Sequence, residues 1–336
     1  MPRRRPEPRS PRVSLKTIAD ELGVAQSTVS RAFTNPGEIG EQTRLDVLAA
    51  AQRLGYVPNA QARSLVLGRT LTIGLVVPDI TNPFFPPLVR AAQRFAREKG
   101  YVVLTMDADD SAELERELIR EYSGRVDAFV LCSPRAGVEA VRELGSSHPL
   151  VLMNSVAPSL SSVVFDTHSG YTDAIEYLSD AGHQRVAYVA GPKASWADKE
   201  RQRSIRAAVA AVGRDLTVDI LGAGPATFER GVSVAAELAT KKYTAVLAFD
   251  DIIALGILRG CRDSGVRVPD DLAVLGCDNI ELDLVSDPGL ATIATPVEDA
   301  ARYAVDLAIA RATAQGPSAA QTITLGGVFI RRASIG

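Results

Sequence analysis

Gln26, Ser27, Ser30 and Arg31 stand within one short stretch and carry the donor and acceptor sets that read base edges. In the major groove Gln pairs with adenine, Arg with guanine and Ser with either. Catalytic chemistry has no comparable grouping. The histidines are His148, His168 and His183, with no His-Glu-x-x-His pair, and the chain contains neither a phosphate-binding glycine loop nor a Gly-x-Ser-x-Gly elbow. Gly222-Ala223-Gly224 lacks the third glycine of a dinucleotide fingerprint. Asp107, Asp109 and Asp110, followed by Ser111, read as a solvated turn leading into a helix N-terminus. Cys132, Cys261 and Cys277 are widely spaced without a metal-ligand pattern and read as reduced core cysteines. The expectation is no catalytic residue, no metal ligand and no cofactor.

The elements that must present the base-reading group are short helices. Ile18, Ala19 and Leu22 fall at helical spacing, Gly23 supplies a turn, and Val29 and Ala32 give the second segment an inward face. Gln26, Ser27, Ser30 and Arg31 are thereby left on the outside. A third segment has Gly40 at a cap position, Glu41 in its first turn, and Val47, Ala51 and Leu54 on one face. Three such helices bury one small core, and in a unit of this kind the second helix lies in the major groove. Tyr56 to Leu65 then runs from a proline into good helix formers, too short to be stable as an isolated helix.

Thr17-Ile18-Ala19, Gly23-Val24, Thr28-Val29-Ser30-Arg31, Thr43-Arg44, Gly55-Tyr56-Val57-Pro58-Asn59 and Ala62-Arg63-Ser64-Leu65 closely resemble the DNA-binding headpiece of the lactose-repressor (LacI/GalR) family of bacterial transcription factors. The resemblance implies a hinge helix over 59–67, with Leu65 wedging between base pairs in the minor groove. Such wedges unstack and kink the duplex at about a few kcal/mol per step, offset by contacts that the bend allows. The implied DNA-contacting set is Thr17, Gln26, Ser27, Thr28, Ser30, Arg31, Asn59, Arg63, Ser64 and Leu65. One departure is Ala25, where the family usually has serine. Losing that N-cap costs typically about 1 kcal/mol and removes a phosphate-contacting hydroxyl. Ser27, Thr28 or backbone amides at the helix start then carry more of the phosphate anchoring.

Charge is distributed to match. The chain of 336 residues carries a net charge of -3, yet residues 1–70 hold 11 Lys or Arg against 6 Asp or Glu, leaving -8 on residues 71–336. A basic end on an acidic body is the electrostatic footprint of a nucleic-acid partner. Residues 1–12, rich in arginine and proline, read as a disordered basic arm that either tracks phosphates or serves as a solubilising tail. No apolar stretch follows those arginines as in an export signal, and none is long enough to span a bilayer, so a cytoplasmic protein is expected.

From Leu71 onward, apolar strand-like runs (71–78, 101–106, 127–133, 150–154, 185–191, 245–249, 272–277) alternate with helical stretches (85–99, 171–181, 196–212, 228–240, 252–263). That alternation indicates parallel sheets covered on both faces, in an amount too large for one sheet. The resemblance implies an α/β periplasmic-binding-protein-like core of two Rossmann-like subdomains, behind the all-α helix-turn-helix headpiece. The expected division is 13–58 for the headpiece, 59–70 for hinge and linker, and 71–336 for the ligand-binding and dimerisation core. Within the core, the N-subdomain takes about 71–165 and 294–326, and the C-subdomain about 166–292 and 327–336.

Ligands of open α/β sheets bind beyond the carboxyl ends of the strands. Pro78 to Phe85 is similar to the family's loop beneath the ligand, with Phe84 the aromatic to stack on a sugar or base face. Strand ends add Ser133, Asp166 and Thr167. Gly191 to Arg201 resembles the family's loop leading into a helix whose arginine, here Arg201, reaches the ligand, and a guanidinium grips vicinal hydroxyls or a carboxylate with paired hydrogen bonds. Trp196 is either a cap on the cleft or a packing residue. Asp250 takes the place of the family's usual asparagine; an ionised acid only accepts, so the ligand should offer hydroxyls or a cation there. Gly276-Cys277-Asp278 matches the family's Gly-x-Asp motif. Phe84, Ser133, Asp166, Trp196, Arg201, Asp250 and Asp278 form a constellation suited to carbohydrate recognition, with nucleobases and polyols fitting less well.

The expected function is a DNA-binding transcriptional regulator of the repressor type, controlled allosterically by a small effector of the sugar class. It should be a homodimer, since one helix-turn-helix covers one half-site and two-fold symmetry matches a palindromic operator. The other class is a solute-binding or sensing protein, or an enzyme on a sugar-binding fold, with an appended helical domain.

Overall fold

Ser14 and Thr17 start the first helix by capping each other's backbone. In the computed structural model, which describes residues 13–34, 36–56, 68–213, 216–314, 316 and 319–336, Ser14 Oγ accepts from Thr17 N at 3.3 Å and Thr17 Oγ1 from Ser14 N at 3.2 Å. This capping box satisfies donors that a helix start otherwise leaves open. Helix α1 (Leu15–Leu22) ends on Gly23 at φ 65°, the left-handed region that favours a residue without Cβ. Helix α2 (Gln26–Thr34) follows Ala25, whose carbonyl accepts from Thr28 N at 2.9 Å and Val29 N at 3.2 Å. Helix α3 (Glu41–Leu54) runs between Gly40 and Gly55. The three bury Ile18, Ala19, Val29, Ala32, Val47, Ala50 and Ala51 together. The expectations for the arm, Asn59, Arg63, Ser64 and Leu65 fall outside the described residues.

The chain divides into Met1–Leu71 and Thr72–Gly336. In the second unit, β1 (Thr72–Val77), β2 (Val102–Asp107), β3 (Ala128–Cys132), β4 (Leu150–Met153) and β5 (Ser161–Asp166) belong to one sheet, connected by α4 (Phe85–Glu98), α5 (Ala112–Tyr122) and α6 (Val138–Ser147). A second sheet contains β6 (Arg185–Val189), β7 (Thr217–Leu221), β8 (Ala245–Ala248), β9 (Ala273–Asp278) and β10 (Ala291–Ala294). Its helices are α7 (His168–Asp180), α8 (Trp196–Val212), α9 (Phe228–Thr240), α10 (Asp251–Asp263) and the single turn α11 (Leu282–Val285). Then α12 (Val297–Thr313) returns to the first sheet, followed by β11 (Thr322–Gly326) there and β12 (Val328–Ile330) on the second.

The strand orders are β11-β5-β4-β3-β1-β2 and β12-β10-β9-β8-β6-β7, parallel throughout except for β12 against β10. Central strands such as β3 and β8 are apolar along their whole length because helices cover both faces; edge strands β7 and β11 are mostly solvent-facing. This is the two-sheet α/β architecture that the alternating sequence implied. The chain passes between the sheets after β5, β10 and β11, and the first and third passages touch: Gly327 N donates to Asp166 O at 2.7 Å, and Ser169 Oγ to Gly327 O at 3.2 Å.

Each sheet has its own core, and α9 packs on α10 almost backbone to backbone. A Cβ on Gly256 would lie 2.1 Å from Phe228 O, so glycine is what permits this close approach of the two helices. Among the described residues, no helix is long and apolar enough to cross a membrane.

Candidate functional site

In the headpiece, Gln26, Ser27 and Arg31 are exposed on α2, while Thr28 and Ser30 are half-buried. Arg31 Nε is 3.8 Å from a Glu38 carboxylate, an exposed pair worth little in water and open to exchange for another acceptor. Thr17 is exposed, but its hydroxyl is engaged in the capping box. Ala25, before α2, has no side-chain oxygen with which to cap the helix start, a position whose amides favour an anion.

In the core, the carboxyl ends of β8 and β9 place Phe249, Asp250 and Asp278 beside the inner face of α8. Arg201, reaching from α8, donates through Nη2 to Asp278 Oδ1 at 2.9 Å and through Nη1 to Phe249 O. Its guanidinium also lies 4.6 Å from the Phe249 ring centroid. Both members of the ion pair are buried. Burial pushes the Asp278 carboxyl well above the usual range against the pull of Arg201, with Asp251 and Asp250 adding to the rise. Burial works against the Arg201 charge, yet Cys277, Asp278, Tyr171 and Tyr188 hold its pKa above its ordinary value. Asp278 has φ 130° and Asn279 φ 62°, backbone states that store strain where the strand turns away.

Asp250 is the N-cap of α10: Oδ1 accepts from Ile253 N at 2.9 Å. Its Oδ2 is buried and has no hydrogen-bond partner among the described residues. The next residue, Asp251, is structural. It accepts from Thr292 Oγ1 at 2.7 Å and Ile280 N at 3.2 Å, tying α10 to β10 and to the segment after β9. A Cβ on Gly276 would sit 2.0 Å from Asp251 Oδ1, so glycine leaves room for this carboxyl. Asp283, on α11, is packed against it with 0% exposure, and the two carboxyls are close enough to share a hydrogen bond when one of them is protonated. Arg332 Nη1 lies 3.7 Å from Asp283 Oδ2.

The first sheet carries the other groups expected at the site. Ser133 ends β3 at φ 43° and accepts from Asn154 Nδ2 at 3.3 Å, with Asn154 itself at φ 54°. Phe84 is buried, edge-on to Phe85 at 5.1 Å and to Phe165 at 6.2 Å. Asp166 is exposed and accepts from His168 N at 2.9 Å at the first passage between the sheets. Trp196 is half-buried in the first turn of α8. The fold therefore joins Arg201 with Asp278 directly, sets Asp250 near them, and places Ser133 and Asp166 at strand ends of the other sheet and Phe84 at the start of α4.

Three positioning residues escaped the sequence reading. Asp198 accepts from Gly191 N at 2.7 Å and Tyr188 Oη at 2.9 Å, fixing the loop before α8. The Ser-x-x-Asp spacing from Ser195 was its only signal, as a helix start. Arg230 donates to the carbonyls of Ala190 and Gly222, closing the loops after β6 and β7, and no local pattern marks it. Asn82 holds Phe84 N at 3.0 Å and lies near enough to Asp250 to lower its pKa.

A family model described as "Bacterial regulatory proteins, lacI family" matches residues 14–59, and one described as "Periplasmic binding protein-like domain" matches 175–335. The chain is 32% identical over 298 residues to the HTH-type transcriptional repressor CytR of Escherichia coli (strain K12), covering 87% of each. A solved transcriptional regulator CelR–cellobiose complex superposes with a TM-score of 0.71 at 28% identity, over 96% of this chain and 100% of that one. The Lac repressor dimer bound to operator and the anti-inducer ONPF shares the fold, with a TM-score of 0.81 at 22% identity over 96% and 99% of the two chains.

Proposed function

The chain belongs to the lacI family of bacterial regulatory proteins, and we propose that it is a cytoplasmic, homodimeric transcriptional repressor whose operator affinity is set by a sugar-class effector bound between the two sheets of its core. It is a regulator without catalytic activity of its own. The observation that carries this reading is the buried Arg201–Asp278 pair beside the open Oδ2 of Asp250, set at strand ends in a chain that begins with a helix-turn-helix. A buried pair with a neighbouring unsatisfied oxygen is expensive for a core and useful for holding a polyhydroxyl ligand. The relative solved with cellobiose supports the sugar class.

On the DNA side, Gln26, Ser27, Ser30 and Arg31 read base edges from the major groove, with Thr17, Thr28 and the uncapped start of α2 on phosphate. Leu65 wedges into the minor groove, and Asn59, Arg63 and Ser64 contribute further DNA contacts. The two half-sites of a palindromic operator call for two copies of the chain. Leu284 and Val285, 68% and 78% exposed, together with Leu282 and Phe228, provide an apolar surface for the second copy.

On the effector side, Phe84, Ser133 and Asp166 meet Arg201, Asp250 and Asp278 across the ligand, and Trp196 covers it. Closure of the sheets on the ligand is transmitted through residues 57–71 to the headpiece. The coupling is reciprocal: a sugar that weakens operator binding is itself weakened by operator to the same factor. A gel-shift series with genomic fragments, with and without a sugar panel, tests the reading. Salt-sensitive, site-specific complexes whose affinity changes with one sugar are expected, and absence of any such complex under every condition refutes it.

A further inference from the structure

The arginines at the strand ends around the proposed effector site and the carboxylate of Asp250 differ in how far their hydrogen-bonding groups are taken up. Among the described residues, the arginines placed there are already committed to protein acceptors. Arg201 holds Asp278 and the Phe249 carbonyl. Arg230 donates to Ala190 O at 2.6 Å, Gly222 O at 2.5 Å and Pro225 O at 3.3 Å. Arg135 donates to Asp110 Oδ1 at 2.5 Å and Ser133 O at 2.7 Å. Asp250 is the reverse case: it is 2% exposed, one oxygen caps α10, and the other has no partner.

Resting on the effector site proposed above, we propose that Asp250 is a charge filter, selecting an effector that is uncharged or cationic and donates an O–H or N–H to Oδ2, and excluding phosphate esters and acids of the same sugar. An anion brought near a buried carboxylate meets weakly screened repulsion. The neighbouring guanidinia compensate for it only by releasing bonds they already make. A donor instead satisfies the open oxygen with a charge-assisted hydrogen bond, the stronger kind. Burial pushes the Asp250 carboxyl up, while Ile253 N–H, Arg201, Arg230 and Asn82 favour its ionised form. The Asn82 side chain, whose Oδ1 accepts from Phe84 N, lies close enough to favour the ionised form as a hydrogen-bond donor, although Oδ2 has no partner at full hydrogen-bond geometry among the described residues.

The test uses the full chain and matched probes: glucose, glucosamine, gluconate and glucose 6-phosphate, then ribose and ribose 5-phosphate. Binding is ranked by thermal shift and measured by calorimetry. The neutral or amino member should bind at least about tenfold tighter than its anionic counterpart, the scale of one charge-assisted hydrogen bond. Asp250→Asn, which can still cap α10, should shrink that gap by about tenfold. Asp250→Ser, also a capping residue, provides the same comparison if the amide variant fails to fold. An anionic member that binds as tightly as its neutral partner overturns the filter alone, as does a gap unchanged in both variants. Silence from every member overturns the sugar reading, and the filter with it.

Discussion

Asp283→Asn should make this protein more stable at neutral pH and change little in acid. Burial pushes the Asp283 carboxyl up to about 6, against the opposing effects of Asp251 and Arg332, while Asp251 is raised well above its usual range by burial and by Asp283. The two carboxyls titrate as a pair in which a second negative charge is resisted. The folded-state value of Asp283 lies above its unfolded value near 3.8. Its contribution to stability is therefore fully present below about pH 3.8 and is lost as pH rises through about 6. A shift of about two units corresponds to roughly 3 kcal/mol when fully developed, of which no more than about 2 kcal/mol accrues between pH 4.5 and 7.5, because the unfolded carboxyl is already mostly ionised at pH 4.5. At about 2 °C per kcal/mol for a unit of this size, the melting temperature of the variant minus that of the wild type should widen by about 2 to 4 °C between pH 4.5 and 7.5. Differential scanning fluorimetry at matched ionic strength measures this, and groups common to both proteins cancel in the difference. A gap that is constant or narrows as pH rises would refute the reasoning.

Other outcomes follow from the same geometry. Arg31→Ala should lose roughly 1 to 3 kcal/mol of affinity for the cognate operator and relax preference at one base position; an equal loss on all sequences would assign Arg31 to phosphate instead. Asp278→Asn removes the partner charge of buried Arg201 and should weaken effector binding by about tenfold or more, measured by calorimetry; unchanged binding removes Asp278 from the site. Gly256→Ala places a Cβ 2.1 Å from Phe228 O and should destabilise the core by about 2 kcal/mol or more, read as a drop in melting temperature. Leu284→Glu should shift the dimer toward monomer in sedimentation velocity and weaken operator binding in parallel; an unchanged sedimentation coefficient would place the interface elsewhere.

Much of the fold was legible because its signals are local. Helical spacing of Ile18, Val29 and Val47 with glycines between them gives the headpiece, and continuous apolar runs mark β1, β3, β4, β8 and β9. The elements that were passed over lack those signals. β5 opens with two serines, β7 and β11 are edge strands facing water, β10 and β12 are short. The buried face of α12 is mostly alanine, Ala300, Ala301, Ala304 and Ala308, which gives weak contrast with its exposed face. The motifs around Asp250, Asp278 and Arg201 could be picked out one by one. Their mutual state could not, since Arg201 and Asp278 lie 77 positions apart.

The sequence alone determined that a basic three-helix headpiece precedes an acidic α/β body, because periodicity, capping residues and charge act over a few neighbours. Only the tertiary structure decided which polar groups satisfy one another. It paired Arg201 with Asp278, committed Arg230 and Arg135 to carbonyls and Asp110, buried Asp283 near Asp251, and left Asp250 with one oxygen open. Those outcomes depend on sheet order and on the three passages between sheets, which bring distant strand ends within hydrogen-bond range. Burial then raises the energetic stake of each paired or unpaired group. The residue type at position 250 was plain from the start; that one of its two carboxyl oxygens has no hydrogen-bond partner among the described residues emerged only from the fold.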